Sequence, residues 1–179
     1  CEGAANWWRD VVRQIFTEER LAYEIDDVGG VHPRVDREFQ RNLVSAVVVF
    51  QSERYQQISE LIESCSNNLV ADPPNYRQAL RAIFSATDVL FGLTFPYARL
   101  STEEIERRLR PHVERAYEGD PTAQRAAQEM VAGFGRWVAA SQIYQHRPGA
   151  AEPAQPPADI AILSISCGIS LMRWLAGLD

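Results

Sequence analysis

The stretch PTAQRAAQEMVAGFGRWVAASQIY, residues 121–144, decides the fold class. Ala123, Ala127, Met130, Phe134, Trp137, Ser141 and Tyr144 recur at alternating steps of four and three. That spacing lines one face of an α-helix for more than three turns. Asp120 and Pro121 stand where a helix favours them. The carboxylate can accept from the first free N–H groups, and proline gives up an N–H that has no partner there.

Upstream, the same periodicity returns. Ser101 and Glu104 predict a capping box for a helix whose inner face is Ile105, Leu109, Val113 and Ala116, stopped by Gly-Asp-Pro at 119–121. Pro111 removes a backbone donor, so a kink or a restart is expected within it. Tyr76, Leu80, Ile83, Thr87 and Leu90 predict another helix, ending near Gly92 and preceded by the break ADPPN at 71–75. Before that break, one long helix is predicted from a cap at Asp36 to about Cys65. Its inward positions are Phe39, Leu43, Val47, Phe50, Ile58, Leu61 and Ile62. The run VVVF at 47–50 favours a strand locally, but its helical flanks outweigh it.

At the amino end, NWWRDVVRQIFTEE (6–19) is amphipathic, with Asn6 as its cap. LAYEIDDVGGVHPRV (21–35) alternates at Leu21, Tyr23 and Ile25, and Asp-Asp-Val-Gly-Gly can turn the chain back. Downstream, four prolines punctuate 148–157, and a last helix runs from about Asp159. It is apolar on every face, with small Ser164, Cys167, Gly168 and Ser170, which predicts a central core helix or a subunit seam. The expected fold is all-α, a bundle of about six helices with one short β-hairpin near residues 21–35. It forms a single domain, with 1–35 as N-terminal helix plus hairpin and 36–179 as the helical bundle.

Composition bounds the function. The 179 residues are 46% hydrophobic and 23% charged, an ordinary globular mixture. A net charge of −6 argues against a polyanion binder that uses its whole surface, though all 18 basic residues are arginine, the better phosphate clamp. Cys1, Cys65 and Cys167 are scattered, without metal-ligand spacing, and their odd number suits free thiols in a reducing compartment. Cys1 also fits the lipid-bearing residue of a bacterial lipoprotein, the alternative being a chain simply numbered from there. The apolar run 160–172 is short for a bilayer and Arg173 closes it. The expectation is a cytoplasmic protein with no metal, no cofactor and no membrane contact.

No glycine-rich phosphate loop, zinc-finger spacing or nucleophile elbow is present. Chemistry therefore falls to three histidines and the arginines. His32 sits in a turn context, GGVHPR. Arg107 and His112 have Arg-x4-His spacing, but five helical steps separate them by about 140°. Without a kink they do not share a face, and His112 reads as a partly buried packing residue. In SQIYQHRPGAA (141–151), Tyr144, His146 and Arg147 cluster within one turn at a helix end. Cationic side chains there complement the helix dipole, and Pro-Gly ends the helix. The same cluster can be a site: histidine moves protons near neutrality and arginine holds a phosphate.

From NYRQALRAIFSATDVLFGL onward, the order of elements resembles the helical C-terminal region of abortive-infection proteins of the HEPN superfamily. There, a helix of the "Y..A...S...L" kind precedes a helical spacer, a helix ending in an Arg-His-Gly-like motif, a loop and a final apolar helix. YQHRPG and PPADIAILSISCGISLMRWL occupy the last two positions here, and LAYEIDDVGGV resembles the strand and turn that often come first. The resemblance implies a homodimer from a bacterial defence or toxin-type system that binds RNA or cleaves it without metal. His146 would move protons, Arg147 and Arg136 would steady the phosphate, and Tyr144 and Gln145 would contact the substrate. Gln145 stands where the family places an arginine before the histidine, and Arg136 lies ten positions before His146. Two other classes stay open. One is a non-catalytic module that holds a partner protein or a second copy. The other is a small-molecule binder lined by Trp7, Trp8, Trp137 and Trp174.

Overall fold

A computed structural model describes residues 2–19, 23–25, 28–33, 45–46, 48–96, 98–145 and 155–178. Helix takes up 77% of it, and the class is all-α. The chain divides into two compact units, 1–42 and 43–179.

The first unit holds helix α1 (Glu2–Glu18) and two strands, β1 (Tyr23–Ile25) and β2 (Val31–Pro33). Helix α1 starts four residues before Asn6, so Asn6 is not its cap; its carboxamide oxygen instead accepts from the Arg9 guanidinium one turn on. The strands pair antiparallel, with Tyr23 opposite Pro33 and Ile25 opposite Val31. Residues 26 and 27 lie outside the described part, and a complete hairpin over 21–35 is not seen. Gly29, at φ +91, takes a left-handed conformation that glycine adopts without strain.

The second unit is the bundle. The long helix expected over 36–65 is interrupted. Ser45, Ala46, Val48 and Val49 are helical, and the Phe50 amide closes the last bond of that piece on the Ala46 carbonyl. Ser52 then turns extended (φ −72, ψ 153), a 3-10 turn covers Glu53–Tyr55, and helix α2 runs Gln56–Leu69. Two features account for the break. The stiff β-branched run gives helix little support, and the Phe50 carbonyl is taken by the Ser59 hydroxyl at 2.6 Å. Phe50, Ile58 and Ile62 are buried as expected, whereas Leu61 is only half-buried; Phe39, Leu43 and Val47 lie outside the described residues.

Helix α3 (Tyr76–Thr94) is the spine of the bundle and packs along both α2 and the last helix. Leu80, Ile83, Thr87 and Leu90 are fully buried, as their spacing predicted, with Phe91 beside them. Each large apolar side chain among them contributes about 1.5–3 kcal/mol. Thr87 belongs there because its hydroxyl donates to the Ile83 carbonyl at 2.8 Å. Asn75 caps α3 by accepting from the Gln78 amide. A second, distant residue completes that cap: Gln155 accepts from the Arg77 amide at 3.0 Å and donates to the Asn75 side chain at 3.2 Å.

Helix α4 is composite: Thr102–Glu104, a π-helical turn Ile105–Leu109, and Arg110–Ala116. Ser101 accepts from the Glu104 amide, which is half of the expected capping box. The Glu104 carboxylate turns the other way, to Arg107 and Arg108. Pro111 stands at the start of the resumed α-helix, directly after the π turn, because the missing N–H cannot continue the earlier ladder. Ile105, Leu109 and Val113 are buried, but Ala116 is exposed.

Helix α5 (Pro121–Ile143) opens on Asp120, which accepts from the Thr122 and Ala123 amides at 3.0 and 2.9 Å. Its buried residues are Ala127, Val131, Phe134, Trp137, Val138 and Ser141. Met130, expected inward, is 59% exposed, and Val131 takes its place. Helix α6 (Ala158–Ala176) packs against α3 and α5. Of its two expected settings, a core helix or a subunit seam, full enclosure in the core is not met: Ile160 is 41% and Leu163 65% exposed. At Gly168 neighbouring side chains press against the α6 backbone, since a Cβ there would meet the side chains of Ile83 and Trp137 at 2.6 Å.

Candidate functional site

The C-terminal end of α5 carries the sequence-predicted cluster. Tyr144 is the C-cap, its amide bonded to the carbonyls of Ser141 and Gln142, and it is half-buried. The Gln145 amide continues the turn to Gln142 at 3.1 Å. His146 and Arg147 lie outside the described residues. Two polar atoms are buried without a hydrogen-bond partner one turn apart, the Ser141 hydroxyl and the Gln145 side-chain nitrogen. Such groups cost about 1–3 kcal/mol each when left unmade.

Arg136 is exposed on α5, nine residues before Gln145, which is half-buried in the turn after the helix.

His112 Nε2 lies 3.0 Å from the Leu178 carbonyl, and its ring meets Phe95 edge-on at 5.5 Å. Arg107, 61% exposed, pairs instead with Glu104. The Arg-x4-His spacing therefore yields no convergent pair, and His112 is a half-buried packing residue. His32 lies in β2 opposite Glu24 rather than in a turn.

Charge is concentrated on α4. The Arg108 guanidinium, at 2.7 Å, leads in holding the Glu104 carboxyl below its ordinary range, with Arg107 adding to it. Arg110 does the same to Glu106 at 2.5 Å. These are i,i+3 and i,i+4 pairs on one solvated helix, which shape its surface without walls around them. Among the described residues no three His, Cys, Asp or Glu side chains gather in a metal-binding group. A shallow depression along the first turns of α5, lined by Pro121, Thr122, Arg125, Ala126 and Glu129, is open to solvent on most sides.

Two of the four tryptophans lie in each unit. Trp7 and Trp8 are 67% and 48% exposed on α1 in the first unit. Trp137, in the second, is core: its ring stacks on Phe84 at 5.9 Å and its Nε1 donates to the Ser164 carbonyl at 2.7 Å.

The last helix, expected from sequence to be a core helix or a subunit seam, has an outer face on which Asp159, Ile160, Leu163, Cys167, Ser170 and Arg173 are all exposed. Their 3-4-3 spacing is a second stripe, masked in the sequence by the apolar residues of the buried one. The helix also extends beyond the apolar run 160–172. At 19 residues and a mean hydropathy of 1.4 it is long and apolar enough to cross a membrane by length and composition, with 33% of that window buried in the protein.

No family model, no curated protein and no solved structure matches this chain.

Proposed function

We propose that this protein is a helical interaction module, acting through a face of its bundle rather than through a reaction centre. The observation that carries this reading is the outer stripe of α6. Ile160 and Leu163 stand exposed in a stretch, 160–172, that has no charged residue. An exposed apolar stripe of this kind is costly in water unless something covers it.

A HEPN-like, metal-independent RNA-handling domain from a bacterial defence or toxin-type system is the second reading. The succession α3, α4, α5 and a final apolar α6 supports it, and so does the unpartnered Gln145 nitrogen beside the His146–Arg147 position. In that reading His146 transfers protons, Arg147 and Arg136 hold the phosphate, and Tyr144 and Gln145 contact the nucleotide. Free Cys65 and Cys167 suit a cytoplasmic setting in either case.

Incubation of the purified protein with a mixed-sequence RNA separates the two. The interaction reading expects neither cleavage nor retention that weakens as salt rises. Cleavage abolished by His146→Ala and Arg147→Ala, with thermal stability unchanged, would replace it by the second.

A further inference from the structure

Helix α6 has two opposed faces. Ala161, Ile165, Gly168, Ile169, Met172 and Leu175 are buried in the bundle. At about 100° per residue, Asp159, Ile160, Leu163, Cys167, Ser170 and Arg173 occupy the opposite arc. Ile160 and Leu163 form its apolar part, while Cys167 and Ser170 are small enough for a neighbouring helix to come close. Its two charges are Asp159 and Arg173, on the same flank of the stripe and equally far from Ser166. Arg173 reaches only a neutral group, the Ser45 hydroxyl at 3.2 Å, and neither charge forms an ion pair among the described residues.

That placement is self-complementary. When two identical helices pair antiparallel about a two-fold axis, each flank of one runs against the same flank of the other, in reverse order. Asp159 then meets Arg173 of the second copy, and Arg173 meets its Asp159. In the same register the height of Leu163 falls between those of Cys167 and Ser170 of the second copy, so this large side chain faces small ones. A parallel pairing would instead set like charges at the same height.

We propose that the outer face of α6 is the seam of a homodimer, paired antiparallel and held in register by two Asp159–Arg173 contacts. It rests on the interaction reading above and commits the partner to a second copy of this chain.

The test is a charge swap in the full chain, followed by sedimentation equilibrium. Asp159→Arg and Arg173→Asp each place like charges across the seam and are expected to weaken the dimer at least about tenfold. The Asp159→Arg/Arg173→Asp double variant restores opposite charges and is expected to recover most of that loss. Leu163→Arg should give a monomer of unchanged helix content. Should Arg173→Asp disturb folding through Ser45, Asp159→Arg and Leu163→Arg still decide, because both side chains point outward. Maleimide labelling of Cys167 is expected to slow as the concentration passes into the dimer range. Three results would overturn the proposal: a wild-type monomer at high micromolar concentration, a dimer indifferent to Asp159→Arg and Leu163→Arg, or a double variant no better than the singles. A monomer that floats with phosphatidylcholine vesicles would overturn it in favour of a lipid-facing helix. A dimer indifferent to these changes leaves the interaction reading standing, whereas His146-dependent RNA cleavage defeats that reading and leaves the seam untouched.

Discussion

Gly168 lies so near the Trp137 indole that a Cβ on it would stand 2.6 Å from ring carbon Cζ2. The ring has no room to retreat, being stacked on Phe84 and tied through Nε1 to the Ser164 carbonyl. Gly168→Ala gains about 1 kcal/mol of helix propensity but overpacks the α3–α5–α6 junction, at about 1–3 kcal/mol. A net loss of about 1–2 kcal/mol is expected in urea unfolding. Gly133 is the control, since it is exposed in α5 with nothing within 4 Å of its added Cβ. Gly133→Ala should stabilise by about 0.5–1 kcal/mol.

The register of α5 yields a paired prediction. Val131 is fully buried and Met130 is 59% exposed. Val131→Ala is expected to cost about 2 kcal/mol, from two lost methyl groups and the space they leave. Met130→Ala should stay within about 0.5 kcal/mol of the wild type. Equal losses at both positions would show that the buried face of α5 is assigned wrongly.

Sequence spacing read α3 correctly from Leu80 to Leu90 because helices lie along both sides of it, while Tyr76 at its first turn is only half-buried. On α5 the same reasoning failed at one flank. Helix α6 covers that flank at Trp137, through Ser164 and Gly168, whereas a heptad earlier Met130 is left 59% exposed. Periodicity tells which residues share a face and not how far the neighbouring helix reaches. The site was less legible still. The Arg107–His112 spacing dissolved into separate contacts with Glu104 and Leu178. What such residues do depends on what stands opposite them, which a single chain of letters does not carry.

The carboxylates of α4 predict an acid dependence. Glu104 and Glu106 are held below their usual value of 4.5, chiefly by hydrogen bonds from Arg108 and Arg110. A carboxyl whose folded pKa is depressed stabilises the fold above its unfolded pKa and loses that contribution as pH falls through the folded one. Glu104→Gln should therefore lower the melting temperature at pH 7. The difference from wild type should shrink steadily below pH 4.5. A difference that is constant with pH would mean the arginines do not act on the charged form.

Cys65 supplies a probe of opening. It is buried on α2, and burial pushes its thiol up to about 12, so almost no thiolate exists at neutral pH. Iodoacetamide labelling, mapped by peptide mass, should reach Cys65 only as fast as the bundle unfolds, while exposed Cys167 reacts at once in dilute monomer. Prompt modification of Cys65 would indicate that α2 detaches locally from α3.

The clamp of Gln155 on Asn75 and the Arg77 amide has a consequence for the order of events during synthesis. A nascent chain leaves the ribosome amino end first, so α3 emerges when its distal cap has not yet been made. Until residue 155 arrives, the first turn of the central helix depends on Asn75 and water alone. The spine of the bundle is thus begun early and fastened late, by the same segment that leads into α6.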